Sequence, residues 1–161
     1  MSRRASPGIL LILSSAATLA LAAAAGKPDF SGTYVLNMQR TKQQKKPAVI
    51  GGEIILEHRG PVFKFRRTFR IEGRDQLQTN GYEITTDGRE VIEKRGDVTS
   101  RMTMIWDGDS LVFTEKISSP KYPDATNTVR YRLEDGGKTL VAEETFRGPW
   151  NYDNVWVAVR K

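Results

Sequence analysis

Hydrophobic and polar residues alternate in short segments along most of the chain after residue 30. The clearest case is the segment 62–71, where Phe63, Phe65 and Phe69 fall on one face and basic residues on the other. A period of two places successive side chains on opposite faces of a β-strand. In the same part of the chain, apolar residues do not recur at helical spacing over two or more turns. The pattern therefore predicts an all-β domain.

Turn-forming residues divide this pattern into nine candidate strands. Gly supplies positive φ and Asp or Asn caps its own backbone, so the Asp-Gly and Gly-Pro pairs between the segments predict tight turns. The candidate strands are Gly32–Met38, Glu53–His58, Val62–Ile71, Gln76–Thr85, Val98–Trp106, Ser110–Ile117, Thr126–Leu133, Lys138–Phe146 and Val155–Arg160. The most polar connection, 41–48, fits either a short helix or a mobile loop.

Strands at this spacing form an antiparallel sandwich or an up-and-down barrel. No helix is predicted that would cover two sheet edges, and closure removes such edges altogether. We therefore expect a single antiparallel up-and-down barrel of about eight strands.

The first 25 residues differ in composition from the rest. Arg3 and Arg4 precede an uncharged run, 8–25, which ends in Leu-Ala-Ala-Ala-Ala-Gly. This order is typical of a secretory signal peptide. We expect cleavage near Ala25/Gly26, a periplasmic or secreted location, and one domain over 26–161. The alternative is a retained membrane anchor, since the run is about long enough to cross a bilayer.

Composition limits the chemistry of the chain. It contains no cysteine, which excludes disulfide bonds and lipid attachment at a cysteine. The formal net charge of +6 falls when Arg3 and Arg4 are removed, and charges of both signs are interspersed. This mild basicity slightly favours anionic surfaces or small acids as partners and does not indicate nucleic acid.

Three short motifs resemble the calycin superfamily, which includes the lipocalins, the fatty-acid-binding proteins and exported bacterial lipocalin-like domains. The segment 30–37 resembles the Gly-x-Trp first strand, with Tyr34 in place of the Trp; 105–113 resembles a Trp-x-Gly-x-x-Leu hairpin; 131–141 resembles a tyrosine strand followed by an Asp-Gly-Lys-Thr-Leu hairpin. The resemblance implies an eight-stranded barrel with an interior pocket for a small hydrophobic molecule. It also implies that Tyr34 packs against Arg160 from the last strand.

Inward-facing residues of the candidate strands predict the lining of such a pocket. The candidate ligand-binding residues are Tyr34, Leu36, Phe63, Phe65, Arg67, Phe69, Met102, Met104, Phe113, Tyr131 and Phe146. Arg67 is the one charged residue in this set. Three interpretations of it remain open: it binds an acidic group of the ligand, it pairs with Glu115 or Glu144 inside the barrel, or a β-bulge turns it to solvent.

Basic residues on and near the opposite face of 62–71 predict a surface patch. Its members are Arg59, Lys64, Arg66, Arg70 and Arg74. The patch either contacts an anionic envelope surface or is an ordinary solvated face balanced by acids such as Glu57 and Glu83.

Catalytic and metal-binding signals are weak. His58 is the only histidine and there is no cysteine, so neither a zinc site nor a catalytic triad is predicted. Asp107-Gly-Asp109 and Asp135-Gly-Gly lack the ligand frame of an EF-hand and are hairpin turns. We expect no cofactor and no bound metal.

The sequence therefore favours an exported, non-enzymatic binding protein for a small hydrophobic or amphipathic molecule with or without an acidic head. One alternative is an envelope interaction protein whose packed barrel acts through its basic face, and a lower one is a barrel-based enzyme. The sequence does not predict an oligomeric state. It is consistent with either a hollow or a packed barrel, because the interior of eight strands can also be filled by their own side chains.

Overall fold

The computed structural model describes residues 26–161, and the expected signal peptide lies outside these residues. Ten strands follow one another: β1 (Gly32–Leu36), β2 (Val49–Arg59), β3 (Val62–Ile71), β4 (Gln78–Thr85), β5 (Val91–Arg95), β6 (Val98–Asp107), β7 (Ser110–Ser119), β8 (Tyr122–Glu134), β9 (Thr139–Arg147) and β10 (Tyr152–Arg160). They form one antiparallel sheet in the order β4-β3-β2-β1-β10-β9-β8-β7-β6-β5. The first and last strands, β1 and β10, pair with each other, as in an up-and-down barrel.

The barrel is nearly closed. No ladder joins β4 to β5, and the two sheet edges meet instead through contacts between β4 and β6 and through the isolated bridge between Asp87 and Ile105. The expected all-β, antiparallel, up-and-down architecture is thus confirmed.

The expected number of about eight strands is wrong, since the barrel has ten. The nine candidate segments correspond to nine of these strands, and β5 was not predicted. This strand is short, and Glu93 and Arg95 line the interior, so the apolar face that marks a half-buried strand is missing. The start of β2 was also missed, because Gly51 and Gly52 interrupt its apolar pattern.

The polar connection 41–48 is not helical. Lys42 and Val155 exchange two backbone hydrogen bonds of 2.8 and 2.7 Å, so the connection runs beside the start of β10. The Gln43 side chain bonds both the N–H and the carbonyl of Val49, at 2.8 and 2.7 Å. The 3-10 turn at Asp135–Gly137 is the helical element of the described region, and no helix there is long and apolar enough to cross a membrane.

One end of the barrel, called here the closed end, is filled by aromatic rings. Phe30, which precedes β1, is fully buried and lies with its ring centroid 6.0 to 6.3 Å from those of His58, Phe63 and Trp106. The segment before β1 thereby covers this end of the interior.

The expected packing of Tyr34 against Arg160 is confirmed. The two residues are opposite each other in the ladder between β1 and β10, and the guanidinium carbon lies 5.1 Å from the ring centroid. Arg160 also donates to the Tyr34 hydroxyl at 2.7 Å, and that hydroxyl donates to the carbonyl of Phe30 at 3.0 Å. These contacts connect the last strand, the first strand and the segment that covers the closed end.

Candidate ligand-binding cavity

A cavity of about 370 Å³ lies inside the barrel, between the closed end and the opposite, open end. Its walls come from β2–β10 and combine aromatic, aliphatic and charged side chains. A smaller space of about 120 Å³ adjoins it towards the connection 41–48, and Arg67, Phe69, Glu144 and Trp156 border both. The barrel is therefore hollow rather than filled by its own side chains.

Six of the eleven candidate lining residues border this cavity: Phe65, Arg67, Phe69, Met102, Phe113 and Tyr131. The other five do not: Tyr34, Leu36, Phe63, Met104 and Phe146. They face the correct side of their strands but lie at other levels of the barrel. Tyr34, Phe63 and Met104 are fully buried in the core towards the closed end. Leu36 is buried in the same core, and Phe146 stacks on Tyr152 with centroids 5.0 Å apart.

Aromatic side chains form the wall of the cavity that faces the closed end, and we call Phe65, Tyr82, Phe113 and Tyr131 the aromatic floor. The Tyr82 ring is stacked between those of Phe65 and Phe113, with centroid separations of 5.0 and 4.4 Å. Its hydroxyl lies 3.0 Å from the hydroxyl of Tyr131. Burial raises the pKa of both tyrosines, so the floor is uncharged at neutral pH.

Charged and amide side chains project into the cavity from the strands beyond the floor. We call this set the polar belt; it consists of Arg67, Asn80, Glu115, Asn127 and Glu144. Strand register places an asparagine opposite each charged member: Asn80 opposite Arg67, Asn127 opposite Glu115, and Asn154 opposite Glu144. The three cross-strand pairs differ in how far their hydrogen bonds are satisfied.

Glu144 is held firmly by its neighbours. One carboxylate oxygen, Oε2, accepts hydrogen bonds from Asn154 Nδ2 at 2.8 Å and from Trp156 Nε1 at 2.9 Å. The residue is buried. Two donors from β10 therefore fix the carboxylate against the cavity wall, which satisfies a buried polar group in the usual way.

Arg67 points into the cavity without a carboxylate partner. The ladders of β3 with β2 and β4 run without a bulge at this position, so the side chain is not turned to solvent. Within residues 26–161 it forms no ion pair of 4.0 Å or less and no hydrogen bond, and its guanidinium carbon lies 5.1 Å from the ring centroid of Phe69. Neither Glu115 nor Glu144 closes the internal ion pair that the sequence left open.

Glu115 and Asn127 lie opposite each other on β7 and β8, and each has an acceptor atom with no donor among residues 26–161. The Oδ1 atom of Asn127 is buried and accepts no hydrogen bond. In the described part of the chain the Glu115 carboxylate also accepts none, although the residue borders the cavity. Buried acceptors are normally paired, so this part of the wall has unused acceptor capacity.

Several residues that line the cavity are not among those predicted from the sequence. Tyr82 and Trp156 follow the inward alternation of their strands and could have been found by extending it to β4 and β10. The polar members Asn80 and Asn127 carry no such signal, because a polar residue on an alternating strand is ordinarily assigned to solvent. Glu93 and Arg95 belong to the strand that was missed.

The basic surface residues are distributed over three environments. Lys64 pairs with Glu83 at 3.1 Å, as the balanced-face interpretation expects. Arg66 and Arg70 are exposed opposite Gly81 and Gly51, and neither forms an ion pair with the described residues. Arg59 is exposed at the end of β2, whereas Arg74 borders the smaller space beside the cavity.

His58 lies outside the cavity, in the aromatic cluster at the closed end. Its ring centroid is 5.7 Å from those of Phe63 and Trp106, and its Nε2 atom is buried without a partner. Burial lowers the pKa of this histidine. Among residues 26–161, no group of three His, Cys, Asp or Glu side chains is arranged to hold a metal ion.

Comparison with known proteins shows a shared fold but no matching family. No family model and no curated protein sequence matches the chain. A secretory abundant heat soluble protein of Ramazzottius varieornatus superposes with a TM-score of 0.56 at 7% identity, over 84% of this chain and 98% of that one.

Two further crystal structures are similar. Secretory abundant heat soluble protein 4 of the same organism has a TM-score of 0.50 at 14% identity, covering 83% of this chain and 95% of that one. Apo lipid binding protein 8 of Caenorhabditis elegans has a TM-score of 0.51 at 11% identity, covering 82% and 95%. The three likenesses cover most of each chain and show that these proteins share the overall fold of this one.

Proposed function

We propose that this protein is a non-enzymatic binding protein that holds a small hydrophobic or amphipathic molecule inside its barrel. The observation that carries the proposal is the cavity of about 370 Å³ with an aromatic floor and a polar belt. Ligand pockets of about 300–1000 Å³ are typically lined by apolar side chains with a few polar groups that orient the ligand. Burial of apolar ligand surface against the floor would supply most of the affinity.

The structural neighbours support the proposal only through the fold. One of them is named a lipid binding protein, and the other two are named for heat solubility and secretion rather than for an enzymatic activity. A shared barrel hosts many functions, so the argument depends on the cavity of this chain.

An acidic head on the ligand is part of this proposal. Arg67 presents a guanidinium to the cavity, and the described residues provide no carboxylate within ion-pair distance. The planar guanidinium binds carboxylates and phosphates through two parallel hydrogen bonds. A ligand acid at this position would give Arg67 the ion-pair partner that residues 26–161 do not provide.

Export of the protein is proposed on the sequence of residues 1–25, with cleavage near Ala25/Gly26 and a periplasmic or secreted location. The intact mass of protein recovered from the periplasm or the medium tests this, and a full-length mass in the membrane fraction would contradict it.

Native mass spectrometry of the gently purified protein tests the binding function directly. We expect a bound small molecule that is absent from a denatured sample, and uptake of a fluorescent fatty acid by the emptied protein. Phe65→Ala should greatly weaken this uptake while the protein stays folded, because it removes part of the aromatic floor.

A suitable control is Ile50→Ala on the outside of β2, where the side chain is exposed. It should leave uptake unchanged. An unliganded mass together with no uptake of the fatty acid would argue against the binding function.

A surface function is the second candidate. It is favoured by Arg66 and Arg70, which are exposed and form no ion pair with the described part of the chain. Attachment to anionic lipid headgroups would depend on both residues and would weaken with salt. Co-sedimentation with phosphatidylglycerol vesicles, with phosphatidylcholine vesicles as control, tests it. Retained binding by the Arg66→Glu, Arg70→Glu double variant would refute it.

A further inference from the structure

The polar belt contains more negative than positive formal charge. Arg67 is its one cation, and Glu115 and Glu144 are its two anions. Glu93 and Arg95 also line the cavity, but they pair with each other at 2.9 Å and are partly exposed, so they do not change this balance. A ligand that brought only an acidic group would therefore increase a negative charge already present in a partly desolvated space. Like charges in such a space repel strongly.

Hydrogen-bond acceptors without donors lie on one wall of the belt, across the cavity from Arg67. The Oδ1 atom of Asn127 is buried without a donor, and Glu115 opposite it accepts no hydrogen bond from the described residues. By contrast, one carboxylate oxygen of Glu144 accepts two hydrogen bonds. Asn127 Oδ1 and the Glu115 carboxylate thus each lack a donor among the described residues, and a ligand acid cannot supply one when ionised.

Arg67 and Glu115 project into the same cavity from β3 and β7. The Tyr82 ring is stacked between those of Phe65 on β3 and Phe113 on β7. Arg67 and Glu115 each follow one of these two phenylalanines by two residues, so they are the next side chains on the same faces and lie directly above the aromatic floor. A single head group above the aromatic floor is therefore placed between a cation and an acceptor wall.

We propose that the ligand is a zwitterionic amphiphile, whose acidic group binds Arg67 and whose protonated amine binds Glu115 and Asn127. This inference rests on the proposed binding function and adds the chemical class of the ligand. A primary ammonium carries three donors. It can therefore serve the Glu115 carboxylate and Asn127 Oδ1 together, and its charge offsets that of the ligand acid.

Three probes with the same alkyl chain test the assignment by isothermal titration calorimetry: dodecanoic acid, dodecylamine and 2-aminododecanoic acid. We expect 2-aminododecanoic acid to bind at least about tenfold more tightly than dodecanoic acid. A difference of this size corresponds to one added charge-assisted hydrogen bond. Since this ordering is measured on the unaltered protein, it does not depend on the folding of a variant.

Glu115→Gln provides a second, independent measurement, and its effect should have opposite signs for two probes. It should weaken binding of 2-aminododecanoic acid about tenfold, because the amine loses its counter-charge. It should strengthen binding of dodecanoic acid, because a repulsive charge is removed. Glu57→Gln, on the exposed outer face of β2, is the matched control and should change neither affinity.

The remaining outcomes separate the two proposals. If dodecanoic acid binds most tightly and Glu115→Gln leaves that order unchanged, the zwitterionic assignment is overturned while the binding function stands. If dodecylamine binds most tightly, the acid site at Arg67 is overturned. If none of the three probes binds, both the assignment and the binding of a medium-chain amphiphile are overturned.

Discussion

The hydroxyl groups of Tyr82 and Tyr131 lie 3.0 Å apart although their strands, β4 and β8, are not neighbours in the sheet. The hydrogen bond between them therefore crosses the barrel interior. It also braces the side where β4 and β5 form no ladder, because Tyr82 stacks on Phe113 of β7 as well. The aromatic floor thus both closes one side of the cavity and joins the edge strand β4 to β7 and β8 across the barrel.

Tyr82→Phe should lower the free energy of unfolding by about 1–3 kcal/mol, because it leaves the buried Tyr131 hydroxyl without its partner. The ring and its stacking are retained. Urea unfolding measures the change. Tyr122→Phe is the control, since that hydroxyl belongs to an exposed side chain, and it should have little effect. Equal effects of the two substitutions would show that the hydrogen bond does not brace the barrel.

Arg67→Met and Arg66→Met provide a matched pair on β3, since the two side chains point to opposite faces. The first should weaken binding of an acidic fluorescent probe about tenfold or more, because it removes the cation in the cavity. The second should leave that affinity unchanged. Equal losses in both variants would indicate that the probe binds the outer surface.

Arg160→Met should lower the free energy of unfolding by about 1–2 kcal/mol, because it removes a hydrogen bond and a cation–π contact to Tyr34. Arg160 also donates to the carbonyl of Gly137 at 3.0 Å. Arg89→Met serves as a control, as that side chain is mostly exposed and its salt bridge is local. An unchanged stability in the Arg160 variant would show that the contact is dispensable.

Stability should decrease with acid because of His58. Burial lowers the pKa of this histidine, although Asp29 and the Gly60 backbone act in the opposite direction. The unfolded chain therefore binds a proton at a higher pH than the folded chain. Between the lowered pKa and the ordinary value of about 6.5, the unfolded state holds more protons, so the free energy of unfolding falls as the pH falls.

Urea unfolding of the native protein and of His58→Phe, from pH 5 to pH 8, measures this contribution. As the chain has no other histidine, the pH slope near neutrality should be reduced in the variant. The pKa of Asp29 is also lowered, mainly by its hydrogen bonds with Ser31. Its contribution to the pH dependence of stability occurs only at more acidic pH, below the ordinary pKa of an aspartate, and so does not overlap with that of His58. A slope that is identical in both proteins would contradict a buried, neutral His58.

Local pattern determined much of the architecture. Alternation in β3 placed Phe65, Arg67 and Phe69 on the inner face, and the structure puts all three on the cavity wall. Turn residues located nine of the ten strands. The first-strand motif led, through the resemblance, to the contact of Tyr34 with Arg160 from the last strand. These features follow from the sequence because strand alternation and turn geometry depend on neighbouring residues.

Tertiary structure alone decided which inward residues meet at the cavity. Phe63 and Phe65 share a face of one strand, yet Phe63 is packed in the core and Phe65 borders the empty space. Asn127 and Asn154 stand opposite Glu115 and Glu144 within hairpins, but Arg67 and Glu115 reach the same cavity from β3 and β7, which are not neighbours in the sheet. Alternation along a strand predicts which face of the sheet a residue occupies, but not its level along the barrel axis. That level depends on strand pairing, barrel closure and the volume left between distant side chains. These are non-local quantities, which explains why the polar belt and its unpaired acceptors emerge only in the folded barrel.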